Sequence, residues 1–189
     1  MKKTTLGLGM AALLLMGFTG KGNNPSPDVL PSGQPVSERK AQESLPMASG
    51  TVWATLLQSK IAYSNKPPHI TATFPPDIKA MNGRTITASG FVLPLDASDH
   101  TSHFLLSKRT PTCPFCPPGE PNEVIEVYCN TPIKFDDSMI SVTGKFGLTN
   151  NTDNGVFFTM KQATAQAGPV AGALPPAAGS GAGGAKTLW

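Results

Sequence analysis

The sequence points to an all-β domain: a small OB-like five-stranded barrel with disordered N- and C-terminal tails. Three features carry that expectation. Short runs of β-forming residues recur through the middle of the chain with turn residues between them, the spacing of a small barrel or sandwich. One run, Arg84 to Leu95, carries Gly90 in its middle, where a long strand can bend round a barrel corner. The 19 glycines and 19 prolines concentrate outside the middle, so the packed unit is shorter than the 189-residue chain.

Taken in order, residues 20–50 are polar and broken by Pro25, Pro27, Pro31 and Pro35. They show no apolar periodicity to offset their ordering entropy, and are expected to be a disordered linker. Ser37 to Glu43 could form a helical turn but has no apolar face. The packed domain is expected over 51–165. Thr51 to Tyr63 is ambiguous, because Trp53, Leu57 and Ile61 repeat every four residues while the β-formers favour a strand; the strand is preferred. Trp53 is expected as a core or edge anchor. Pro67-Pro68 and Pro75-Pro76 frame an extended crossing, and Pro76 to Ala80 suits one helical turn. Asn82-Gly83 is a turn signal. The barrel strands then follow as Arg84 to Leu95, Phe104-Leu105-Leu106, Glu123 to Cys129, Ser141 to Leu148 and Val156 to Ala163. In the fourth of these Val142 and Phe146 are expected to face inward. Asn130-Thr131-Pro132 and Asp136-Asp137 bracket a connection. Residues 166–189 are Ala/Gly/Pro-rich and should behave as a flexible tail.

The first residues bear on compartment. Lys2-Lys3 followed by the apolar run Leu6 to Phe18 fits a signal peptide over residues 1–19, since the run is shorter than the roughly 20 apolar residues of a membrane span. Phe18 stands where a lipoprotein would carry its lipidated cysteine. The protein is therefore expected to be periplasmic or secreted, with no membrane span after signal cleavage; an uncleaved N-terminus would instead serve as an anchor. The formal charge of +3 is scattered, with no arginine-rich stripe, so nucleic acid is not an expected partner.

The chemistry concentrates in one loop, Thr112 to Glu123, where Cys113 and Cys116 stand as C-x-x-C among Pro114, Pro117, Pro118 and Pro121. In an oxidising compartment such a pair is a disulfide or half of a metal site. The third cysteine, Cys129, shares a strand face with Ile125 and Val127, opposite Glu126, and should point inward as a buried free thiol. The sharper alternative joins all three thiolates on one metal, Zn or Cu(I), with His100, His103 or His69 as fourth ligand. C-P-F-C also has the spelling of a thiol-disulfide oxidoreductase using Cys113. Those enzymes seat the reactive cysteine at a helix N-terminus, and Pro117 and Pro118 would fall inside that helix at about 3 kcal/mol each. Asn122-Glu123 is expected to cap the turn into the third barrel strand. No G-x-S-x-G, H-E-x-x-H or phosphate loop is present.

The ordered spacing of Trp53-x-x-Leu56, Met81-Asn82-Gly83-Arg84, Gly90-Phe91-Val92-x-Pro94-Leu95, Phe104-Leu105-Leu106, the Cys/Pro loop, Asn122-Glu123 and Val142-x-Gly144 resembles a bacterial family of exported domains of unknown function. The resemblance covers roughly residues 51–165. It implies an OB-like β fold and an export signal, and no settled activity. Many members carry a cysteine followed by prolines before Asn-Glu, as Cys116-Pro117-Pro118 does here; some place a histidine in the loop, where this chain has Phe115. That departure weighs against a histidine-containing metal site. The expected function is an exported binding or accessory module of the envelope, with an envelope protein or transporter component as partner class. The alternative is the thiol enzyme.

Overall fold

The computed structural model describes residues 28–65, 68–134, 136–151 and 153–169. The expected signal peptide and the tail from residue 170 lie outside them. Three short helices, α1 (Val36–Gln42), α2 (Thr51–Leu56) and α3 (Pro76–Met81), accompany a hairpin of β1 (Lys60–Asn65) and β2 (Pro68–Thr73). The remaining strands are β3 (Thr85–Pro94), β4 (His100–Ser107), β5 (Val124–Lys134), β6 (Ile140–Asn151) and β7 (Val156–Ala167). They form one mixed sheet in the order β3-β4-β5-β7-β6, and β6 pairs back onto β3 to close the ring. Every contact is antiparallel except β5 with β7. This is the OB-like, five-stranded barrel expected from the strand spacing.

Closure depends on the bend in β3. Through Gly90, paired with Ile140, β3 lies against β6; from Phe91, paired with Ser107, it lies against β4. A Cβ on Gly90 would sit 2.7 Å from the Ser107 carbonyl oxygen, so only glycine allows the approach at which the strand changes neighbours. A second device lies in β7. Gln162 has φ 51°, and beside it three residues of β7 advance against two of β5 and two of β6. This one-residue bulge sharpens the local twist. Gly144 lies against it, where a Cβ would come within 2.9 Å of Ala163 Cβ.

Alternating side chains fill the interior: Ile86, Ala88, Phe104, Leu106, Ile125, Val127, Val142, Phe146, Phe157, Phe158 and Met160 are all buried. Val142 and Phe146 face inward as expected. Trp53 and Leu56 from α2, with Ile78 and Met81 from α3, join the same core. The Trp53 indole N–H donates to the Ser89 carbonyl at 2.7 Å, which fixes it as a core anchor.

Three expectations need correction. Thr51–Leu56 is a helix rather than a strand. Val52, Trp53 and Leu56 make its buried face while Leu57 is exposed, and burial of that face outweighs the weak β preference of Thr, Val and Trp. The first segment of β5 does not end at Cys129 but continues through Pro132 to Lys134. Finally, residues 28–50 are not a free linker: they contain α1 and pack on the rest of the chain, so the described unit starts well before Thr51. Apart from Ala48, their buried residues are polar: Gln34, Glu38 and Gln42, at four-residue spacing. A search for apolar periodicity passes over such residues.

Candidate functional site

The cysteine loop joins β4 to β5 and leaves the barrel as an irregular, proline-stiffened excursion. Cys113 and Cys116 are joined as a disulfide. The segment is a turn, with the Cys116 amide donating to the Cys113 carbonyl at 3.4 Å, and no helix starts at Cys113. Nothing there offers the helix dipole that stabilises a reactive thiolate. Phe115, at the tip, is 97% exposed, which makes it the most solvent-facing large apolar side chain described.

Both roots of the loop are tied down by the N-terminal arm. At the first, the Glu38 carboxylate accepts from the Thr112 amide (3.0 Å) and from the Thr112 hydroxyl. At the second, the Gln42 amide donates to the Pro118 carbonyl at 2.9 Å and to Glu38 at 3.2 Å, and Gln34 donates to Gln42 at 3.0 Å. A second set of contacts centres on Glu123, 4% exposed. Arg39 Nη1 and Arg109 Nε donate to its two oxygens, each at 2.9 Å, and the Glu120 amide donates at 3.0 Å. Burial opposes the charged form of Glu123, but the Glu120 N–H and the two guanidiniums outweigh it and hold the carboxyl below the usual range. Glu120 in turn accepts from Ser32 and Tyr63 and lies 3.5 Å from Arg39. Burial first, and the Glu120 carboxylate second, push the Tyr63 phenol up.

The turn Pro121–Glu123 is a single 3-10 turn closed by a reciprocal capping box between Glu120 and Glu123. The capping role expected of Asn122-Glu123 thus belongs to Glu123 with Glu120. Asn122 reaches away to the Ser59 carbonyl at 3.4 Å. Gly119 is buried against Glu123, where a Cβ would come within 2.9 Å of the carboxylate. Pro117 is exposed and Pro118 buried beside the network.

Beside the disulfide runs a groove of about 440 Å³. Its walls are apolar, from Leu45 of the arm, Phe91, Leu93 and Pro94 of β3, and Pro111 and Pro114 of the loop; Cys113 lines it and Asp136 and Asp137 stand at its edge. Asp136 accepts from the Ser138 amide at 2.8 Å, and hydrogen bonding from Ser138 lowers its pKa.

The other residues singled out from sequence do not converge on the loop. Cys129 is the free cysteine, half-buried and packed against the core, and burial raises its thiol pKa. His103 stacks on Tyr128 (ring centroids 4.4 Å apart) and meets the Glu126 carboxylate at 2.9 Å. His100 is exposed at the start of β4, and His69 lies in β2. Among the described residues no three His, Cys, Asp or Glu side chains cluster as a metal would need. With Cys113 and Cys116 bonded to each other, the three-thiolate arrangement is not formed.

A family model described as a protein of unknown function (DUF3299) matches residues 30–165. The chain belongs to the DUF3299 family. The match begins within the arm, 21 residues before Thr51, in keeping with α1 being part of the packed unit. This DUF3299 chain is also similar to the crystal structure of a DUF3299 family protein from Pseudomonas aeruginosa PAO1, at 21% identity and a TM-score of 0.42, over 52% of this chain and 70% of that one. No curated protein matches.

The sequence pattern does not mark Glu38, Arg39, Gln42 or Arg109 as site residues, and it offers Glu120 only as one of several loop carboxylates. The available signal was the i, i+4, i+8 placement of Gln34, Glu38 and Gln42 just upstream of a proline-stiff loop.

Proposed function

We propose that this DUF3299 domain is an exported binding module of the bacterial envelope, and that its working surface is the disulfide loop with the groove beside it. The observation that carries this is the fixing of an exposed apolar tip, Phe115, on a loop whose two roots are clamped by Glu38, Gln42 and Glu123. A loop held this firmly loses little conformational entropy when a partner docks. Export is supported by the signal-like N-terminus and by the disulfide itself, which persists in oxidising compartments. The fitting partner is an envelope protein segment with apolar side chains for the groove and a Lys or Arg to meet Asp136 and Asp137.

A photo-crosslinking residue placed at Phe115 or Leu45 should give one discrete adduct in the intact envelope. The adduct should weaken when Asp136 and Asp137 are both changed to Asn, and should be missing when the crosslinker is placed at Lys134. Equal labelling from all positions, or none from the groove, would overturn the assignment.

The thiol enzyme is the second reading. Cys113 lines the groove, so a bound thiol would have access to it. Yet no helix starts at Cys113, and Arg39 and Arg109 are committed to Glu123. Failure to reduce a model disulfide after prereduction of the protein separates the two.

A further inference from the structure

On the barrel wall, β5, β7 and β6 line a polar cleft of about 690 Å³, within the size range of small-molecule sites. Two lysines, Lys145 of β6 and Lys161 of β7, line it. The strand register sets them directly opposite each other across an antiparallel rung. Like charges so placed repel and destabilise a sheet. Among the described residues neither lysine has a carboxylate within ion-pair distance.

The same cleft contains the bulge. Gln162 lines it in the left-handed region, a conformation uncommon for a residue other than glycine and found where a strand re-aims side chains near a site. Asn82, Thr149 and Thr159 add polar groups. Lys161 Nζ lies over the Tyr128 ring at 5.8 Å, which restrains it. The carboxylate in the lining, Glu126, is already engaged by His103 at 2.9 Å and by the Tyr128 hydroxyl at 3.0 Å.

We infer that this cleft binds a phosphomonoester, whose two negative charges match the Lys145–Lys161 pair. The inference stands independently of the disulfide loop. The phosphomonoester is either a soluble phosphate ester or the headgroup of a lipid such as phosphatidic acid. Both present the same dianion to the two ammonium groups.

Calorimetric titration of the full chain with glycerol 3-phosphate, and co-sedimentation with phosphatidylcholine vesicles with and without phosphatidic acid, test both sources. Saturable binding of glycerol 3-phosphate but not of the vesicles assigns a soluble ester; binding that needs phosphatidic acid assigns the lipid. In either case Lys145→Met and Lys161→Met should each weaken binding about tenfold, the scale of one charge-assisted hydrogen bond. Their melting temperatures should stay level or rise, because each removes a repulsion. Lys60→Met, on the separate hairpin, should bind like the parent chain. Absence of binding to both phosphate preparations overturns the inference. So does equal weakening by Lys60→Met, or full binding in both cleft variants.

Discussion

At the scale of single residues, three positions show how side-chain size and burial decide behaviour. Cys129 packs against the core and burial raises its thiol pKa, so little thiolate exists near neutral pH. It should react slowly with iodoacetamide in the native protein and rapidly after unfolding, as followed by mass spectrometry. Gly144 belongs to the family-like pattern, but its reason appears only in three dimensions: it faces the β7 bulge, with Ala163 Cβ 2.9 Å and the Lys161 carbonyl 3.1 Å from where a Cβ would stand. Gly144→Ala should therefore cost about 1–3 kcal/mol of unfolding free energy in urea melts, the usual scale of overpacking. Gly90 could be interpreted further from sequence alone, since a glycine inside an alternating apolar run marks a bend. Its two sets of pairing partners bear that out.

At the scale of elements, two sets of polar contacts join the arm to the loop, one through Glu38 and Gln42 and one through Glu123. The folded pKa of Glu123 lies below the ordinary value, so the carboxylate contributes stability above the unfolded pKa of about 4.3, and that contribution is lost as pH falls through the folded pKa. Urea midpoints measured from neutral to acidic pH should decline below about pH 4, and Glu123→Gln should flatten much of that decline. At neutral pH the same variant should lose about 2 kcal/mol. This is less than for a fully buried pair, because Arg39 and Arg109 keep partial contact with water. Strands β3 to β7 were legible from alternation and turn residues, because each buries one face. Helix α1 was not, since what it buries is amide and carboxylate. In α2 the short apolar run fits either period, and only its packing against α3 and β3 decides.

At the scale of the whole molecule, ring closure and the arm explain each other's place. The local patterns announce five strands but not their order; the parallel pairing of β5 with β7 joins strands with β6 between them in sequence, and no local signal marks it. The loop between β4 and β5 leaves this ring and is held down by residues 74 and 76 positions earlier in the chain. A chain lacking residues 1–45 should keep the barrel core, as judged by circular dichroism, yet be cut by chymotrypsin at Phe115 at least several-fold faster. Unchanged cleavage would show that the prolines and the disulfide alone hold the loop.

The account rests on Cys113 and Cys116 being bonded to each other within the loop. Thiol counting on protein recovered from its native compartment, acid-quenched, unfolded and alkylated without reductant, addresses that point directly. One labelled cysteine per chain, Cys129, is the predicted outcome; labelling of all three would contradict it.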